Sequence, residues 1–351
     1  MSHYPPPAGG IASWTKRLLE KGLPDGWDIS HININTINGR DPFKNTKKHI
    51  KDEYIRTRNI WKQEVERLKS EKDISVVHTC IPCTVFGMMR ETVSGMIAKR
   101  YKKKFILHCR CTVPNVVNNS FKLWWFRRLA GYCDGIMVLN EKSYDFAKKY
   151  SNALVELIPN FVTAEELTGA ERGEYREAAN DFIYVGGVTP DKGCDTIIDS
   201  AKAFPDITFH LVGSVSAETE ALPHTDNVKF YGNREKPELK EMLSKADVFL
   251  FLSRYWGEGF SNALVEAMSA GLPCIVSDWA ANADMIGEDG GIVLEENDSE
   301  HLKAAVEKLY RDKVGRQAMG ERNIRVAKER YSDDVVLRQY TEFYEKVLNI
   351  Q

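Results

Sequence analysis

The chain holds 351 residues, 43% hydrophobic and 28% charged, enough for two domains with their own cores and not the composition of a disordered or fibrous chain. No stretch reaches the roughly 20 apolar residues of a bilayer span, Met1-Ser-His-Tyr-Pro-Pro-Pro lacks the pattern of a secretory signal, and seven cysteines imply no disulfide framework, which together point to a reducing cytoplasm. The net charge of −2 hides a division, +12 over residues 1–162 and −14 over residues 163–351, so the first half is suited to meet something anionic or to attract the second.

In chain order, short apolar runs at residues 29–33, 74–79, 104–108 and 135–139 predict strands. Amphipathic stretches at 45–70, 86–100, 123–130 and 142–150 predict the helices around them. Alternation of this kind makes parallel βαβ units. The second half repeats the rhythm, with strands predicted at 182–185, 208–212, 228–231, 248–252 and 274–277. Its helices fall near 195–204, 237–244, 263–270 and 300–310. The joint is placed at Ile158-Pro-Asn-Phe161, giving a first domain of residues 1–161 and a second of 162–332. Helical stretches follow at 315–329 and 333–348 without a strand between them. The last is assigned to the first domain as a segment of residues 333–351, although its pattern also allows it to close the second. The glycine-containing loop Pro7-Ala-Gly9-Gly10 calls for a strand before it, and only residues 1–4 are there to supply one.

The richest stretch is Glu258-Gly-Phe-Ser-Asn-Ala-Leu-Val-Glu266-Ala-Met-Ser-Ala-Gly-Leu-Pro273. A strand ends, a loop with Gly257 and Gly259 follows, and a helix begins near Asn262. Such a turn leaves backbone N–H groups at the helix start able to hold phosphate. Glu266, about one turn into a largely apolar helix, is a carboxylate suited to accept hydrogen bonds from hydroxyl groups.

This stretch resembles the E-x7-E motif of the large retaining glycosyltransferase family with the GT-B fold, glycosyltransferase family 4. Gly271-Leu-Pro-Cys-Ile-Val-Ser-Asp278 is similar to that family's G-x-P-V-I-x-x-D strand. Tyr184-Val-Gly-Gly-Val-Thr-Pro-Asp-Lys-Gly193 is similar to its V-G-R-L-x-x-x-K-G segment. Pro6-Pro-Ala-Gly-Gly-Ile11 resembles its opening glycine loop, and Ile158-Pro-Asn160 its interdomain I-P-N. The resemblance implies an α/β chain of two Rossmann-like domains facing each other across a cleft, and transfer of a sugar, with retention, from a nucleotide-diphosphate sugar to an acceptor hydroxyl. It implies that Glu266 holds the donor ribose, Glu258 contacts the transferred sugar, and backbone groups of Phe260, Ser261, Asn262 and Ala263 contact sugar and phosphates. Lys192 would neutralise the diphosphate, Gly9 and Gly10 would close over it, and His108 would hydrogen-bond the donor sugar. The family's arginine falls at Gly187, so Arg234 or Arg254 is expected to supply the missing cation. No metal or cofactor is expected. UDP is the expected nucleotide, and a saccharide or lipid-linked acceptor of a bacterial surface polysaccharide or glycolipid the expected partner, with no nucleic acid.

Two other readings stay open. Cys80-Ile-Pro-Cys83 has the spacing of a redox dithiol, and with Cys109 and Cys111 it offers a zinc ligand set. Gly187 allows a sugar-nucleotide binder without catalysis. Finally, Phe121-Lys-Leu-Trp124-Trp125-Phe-Arg127-Arg128 joins aromatic and basic residues as a peripheral contact with the inner face of an anionic membrane would require.

Overall fold

The structure, a computed structural model, describes residues 1–5, 9–35, 50–167 and 173–349. The chain divides into two compact units: unit 1 comprises Met1–Asn160 and Asp334–Gln351, unit 2 Phe161–Asp333.

Unit 1 begins with α1 (Gly10–Lys21) and α2 (Ile50–Ser70). Then come β1 (Val76–Ile81), α3 (Val85–Arg100), β2 (Lys104–Cys109), α4 (Val113–Val116), α5 (Ser120–Ala130), β3 (Gly135–Val138), α6 (Glu141–Tyr150) and β4 (Leu154–Leu157). The four strands are parallel in the order β1-β2-β3-β4. Their near-continuous burial is what helices on both faces of a parallel sheet produce. The strand predicted at 29–33 is reduced to a single bridge between Asn33 and Ser2. The N-terminal residues do act as an inner strand segment: Ser2 bonds to residues 32 and 34, and Cys80 N–H donates to the Met1 carbonyl at 3.0 Å. That segment feeds α1 and adjoins β1. The predicted helix at 45–70 is seen from Ile50; residues 45–49 lie outside the described residues, as do Pro6, Pro7 and Ala8 of the glycine loop.

Unit 2 contains α7 (Ala164–Leu167), β5 (Asp181–Val185), α8 (Cys194–Ala201), β6 (Thr208–Val212), α9 (Ala217–Glu220), β7 (Val228–Gly232), α10 (Lys236–Lys245) and β8 (Val248–Phe251). It continues through α11 (Asn262–Ser269), β9 (Cys274–Ser277), α12 (Asn282–Ile286), β10 (Gly291–Leu294), α13 (Ser299–Arg311) and α14 (Lys313–Tyr331). Its six parallel strands run β10-β9-β8-β5-β6-β7. From the central β5 the chain first winds outward through β6 and β7. It then returns to the other side of β5 with β8 and winds outward again through β9 and β10. The order therefore reverses between β5 and β8, and ligands of open α/β sheets bind outside the strand ends at such a point.

The final helix, α15 (Asp333–Asn349), packs with unit 1. Phe343 and Val347 press on Gly135 so closely that an added Cβ would lie 2.7 Å from the Phe343 ring. Trp14 Nε1 donates to the Tyr340 hydroxyl at 3.2 Å.

Candidate functional site

In unit 2 the sequence-predicted residues gather at the reversal point. The loop after β5 carries Lys192 in a 3-10 turn closed by Gly193, whose φ of +80° is the left-handed region that glycine adopts without cost. A Cβ on Gly193 would stand 2.3 Å from the Leu252 carbonyl oxygen, so glycine lets this loop lie directly on the chain leaving β8. Arg254 N–H completes the join by donating to the Asp191 carbonyl at 2.9 Å. Because β5 and β8 are neighbours, residues 66 positions apart in sequence meet: Lys192 Nζ donates to Glu258 Oε2, and Ser253 Oγ donates to the same oxygen at 3.3 Å. The Lys192 ammonium also lies 4.5 Å from the centre of the Tyr255 ring, an attractive cation–π arrangement. Both members of the pair keep access to solvent, with side-chain exposures of 21% and 13%.

Beside this pair the helix α11 begins. Ser261 is its N-cap, with Oγ accepting from Leu264 N–H at 3.1 Å. That side chain is committed to the helix, so only backbone groups of the turn remain for a ligand. Phe260 likewise turns its ring inward against Tyr331, 5.4 Å between centroids. The Asn262 and Ala263 N–H groups stand in the first turn, where a helix has no internal acceptors and carries partial positive charge. Glu266 is half-buried on the same helix. Lysine, carboxylates and a helix N-terminus thus converge on one edge, an arrangement able to take a diphosphate and sugar hydroxyl groups.

The two candidate replacement arginines differ in place. Arg254 follows β8, and its guanidinium bonds Asp195 and, at 3.4 Å, Thr196 Oγ1 at the start of α8. Arg234 follows the edge strand β7, two strands from β5, and pairs with Glu238 on the surface. Gly187 has open space where a Cβ would be, and its carbonyl accepts from the Tyr184 hydroxyl at 2.8 Å. Ser253, Tyr255 and Asp195 were not singled out from sequence. Their only signal is proximity in sequence to Glu258 and Lys192.

Unit 1 holds the other candidates. Gly9 and Gly10 are exposed at the start of α1, which has no side-chain cap and no acidic residue in its first turn. His108 is fully buried, against the expectation of a group presented to a sugar. Its ring packs among Trp14, His78 and Tyr340. Arg110 Nη1 can only donate, so His108 Nε2 accepts at 3.1 Å and the proton sits on Nδ1, 3.3 Å from His78 Nε2. His78 Nδ1 then donates to the Tyr344 hydroxyl at 2.6 Å. Burial, with Arg110 beside the ring, holds His108 well below the usual imidazole range, and burial takes His78 down to about 3. Both rings are neutral at pH 7, and both nitrogens of each are engaged.

The cysteine readings do not survive the strand geometry. Side chains alternate across a sheet. Cys80 shares a face with His78 and His108, whereas Cys83, Cys109 and Cys111 lie in the hydrophobic core on the other face. The four therefore form neither a dithiol at Cys80/Cys83 nor a four-cysteine site, and burial pushes the Cys80 thiol up to about 11, far from a reactive thiolate. His78, Cys80 and His108 do approach one another, but the hydrogen bond from Arg110 turns the N–H of His108 toward the space an ion would need.

Two Rossmann-like units in one chain, with a strand–turn–helix crevice at the reversal point of the second, define the GT-B architecture of glycosyltransferases. Residues 170–326 match the family model described as Glycosyl transferases group 1. The chain is 29% identical over 204 residues to the phosphatidyl-myo-inositol mannosyltransferase of Mycobacterium leprae, covering 54% of this chain and 53% of that protein. It is 31% identical over 182 residues to the UDP-Gal:alpha-D-GlcNAc-diphosphoundecaprenol alpha-1,3-galactosyltransferase of Escherichia coli, covering 46% of each. The matches thus span about half the length of these curated relatives. Among solved structures, sucrose-phosphate synthase from Thermosynechococcus elongatus shares the fold with a TM-score of 0.73 at 16% identity, over 97% of this chain and 94% of that one. No helix among the described residues is long and apolar enough to cross a membrane.

Proposed function

We propose that the protein is a retaining, metal-independent glycosyltransferase that moves a sugar from a UDP-linked donor to a hydroxyl of a saccharide or lipid-linked acceptor. The observation that carries this reading is the convergence of Lys192, Glu258 and the N-terminus of α11 at the reversal between β5 and β8. Lys192 and the helix N-terminus stabilise the negative charge that grows on the departing diphosphate, the task a divalent cation performs elsewhere. Glu266 accepts from the ribose hydroxyls, Glu258 contacts the transferred sugar, and Gly9 and Gly10 let backbone approach the diphosphate. Arg254 is the better candidate for the missing arginine, because its backbone is tied to the Lys192 loop.

The relatives' names, one a UDP-Gal enzyme and both with lipid-borne acceptors, favour UDP and a glycolipid or surface-polysaccharide product. A cytoplasmic protein resting on the inner face of an anionic membrane fits that acceptor. On α5, Phe121 and Trp124 are 61% and 55% exposed beside Arg127 and Arg128. The vacant cation position at Gly187 favours a second reading, a binder that does not turn over.

A thermal-shift and UDP-release series across UDP- and GDP-sugars, run in excess EDTA, tests these statements. Stabilisation by UDP-sugars with UDP release is expected. Binding without release selects the second reading, and no shift with any nucleotide sugar removes both. Activity lost in EDTA and restored by magnesium or manganese overturns the metal-free mechanism.

A further inference from the structure

Arg110 follows directly on β2, at the strand ends where α/β proteins bind ligands, one strand from the pairing of β1 with the N-terminal segment that feeds α1. Its side chain is 7% exposed, and the guanidinium lies 4.4 Å from the centre of the Trp14 ring on α1. Nη1 donates to His108, and Tyr340 is a further hydrogen-bonding neighbour. Nε has no partner among the described residues, and no described carboxylate pairs with the group. The described surroundings supply no negative charge either. His78 and His108 are neutral, and burial keeps the Cys80 thiol and the Tyr340 hydroxyl protonated. A buried guanidinium remains charged, and a buried charge without a counter-ion is costly unless an anion arrives to share it. Nothing in this cluster explains the cation as a structural ion pair.

We infer that Arg110 anchors an anion site in unit 1 and that its ligand is a phosphate group. The planar fork of a guanidinium matches two phosphate oxygens, and its Nε N–H has no partner among the described residues. The start of α1, lacking a side-chain cap and any acid in its first turn, adds a second element of the same unit favourable to an anion. The phosphate can come from the diphosphate of a nucleotide sugar or from a phosphorylated acceptor. The donor arm rests on the proposed sugar transfer; the site itself does not.

Calorimetry on the full chain with inorganic pyrophosphate, UDP and monomeric dihexanoyl phosphatidic acid separates the sources. Wild-type protein should bind at least one, and Arg110→Met should weaken that binding at least tenfold. Loss confined to pyrophosphate and UDP assigns the donor, and loss confined to phosphatidic acid assigns the acceptor. Should Arg110→Met fail to fold, Arg110→Lys, which keeps the charge and loses the fork, decides with an expected loss of threefold or more. Wild-type protein that binds none of the probes, or a folded variant that binds all of them within twofold of wild type, overturns the inference. Phosphate binding that depends on Arg110 in a protein releasing no UDP from any UDP-sugar supports the site while removing the transfer reading.

Discussion

Lys192 and Glu258 already satisfy one another, and this makes the effects of their substitution opposite in sign for nucleotide binding. A diphosphate arriving at Lys192 competes with the Glu258 carboxylate for the same ammonium. Hydrogen bonds to charged groups contribute about 1.5–3 kcal/mol, and sharing Lys192 with Glu258 puts the net gain near the lower end. Lys192→Ala should therefore weaken UDP binding about tenfold, since about 1.4 kcal/mol is one decade. Its effect on turnover should be larger, about 10²–10³-fold, the range for removing one group that stabilises developing charge. Glu258→Gln frees the ammonium while keeping the shape of the side chain. UDP binding should be retained or tightened by up to about tenfold, while sugar transfer is lost. Titration calorimetry with UDP, beside single-turnover UDP release, measures both quantities. Equal weakening by the two variants would mean that the ion pair serves only to hold the β5 and β8 loops together. Unchanged UDP affinity in Lys192→Ala would remove the lysine from the diphosphate site.

Other perturbations address the rest of the molecule. Glu266→Ala should weaken UDP binding by about 1.5–3 kcal/mol without unfolding the protein; calorimetry showing equal affinity would take Glu266 out of the site. Gly193→Ala combines a left-handed backbone with a Cβ driven into Leu252, so urea unfolding should show a loss of about 2–4 kcal/mol, and a loss under about 0.5 kcal/mol would contradict the close approach. Burial raises the Glu64 carboxyl to about 8 from an ordinary value of 4.5. The folded state therefore binds this proton more tightly than the unfolded chain. Its contribution is fully present below about pH 4.5 and is lost as pH rises through about 8. Glu64→Gln should flatten that decline in a series of melts, and parallel curves for the two proteins would refute the assignment. Wild-type protein should sediment with anionic vesicles at low salt, and replacing Arg127 and Arg128 with Glu should abolish this while sparing UDP binding; wild-type protein that stays in the supernatant would end the membrane reading.

The parallel sheets were legible because buried parallel strands are apolar throughout, so runs such as Phe105–Leu107 or Val248–Phe251 stand out between amphipathic helices. The edge strands β4 and β10 escaped notice, being four residues long and only partly buried. Spacing suggested a dithiol at Cys80 and Cys83, but the sequence interval says nothing about faces, and β1 puts Cys80 on the face away from the other three. The Lys192–Glu258 contact had no local signature, since it depends on β5 and β8 becoming neighbours. The segment 333–351 is assigned to the first domain and α15 lies there, although its own pattern does not choose between the two units. An amphipathic pattern declares that one face will be covered and leaves open what covers it.

That destination has a consequence for how the protein is made. Unit 2 is inserted in the chain between two parts of unit 1, and its ends are stitched together: Val162 N–H donates to the Tyr331 carbonyl at 2.9 Å, and Asp333 N–H to the Val162 carbonyl at 3.0 Å. On a ribosome, everything unit 2 needs has emerged before α15 exists. Until then Gly135 lacks Phe343 and Val347, and Trp14 and His78 lack Tyr340 and Tyr344. Domains ordinarily mature in the order of their synthesis. Here the unit begun first is finished last, and the nascent N-terminal half holds part of its core open until the final helix is released.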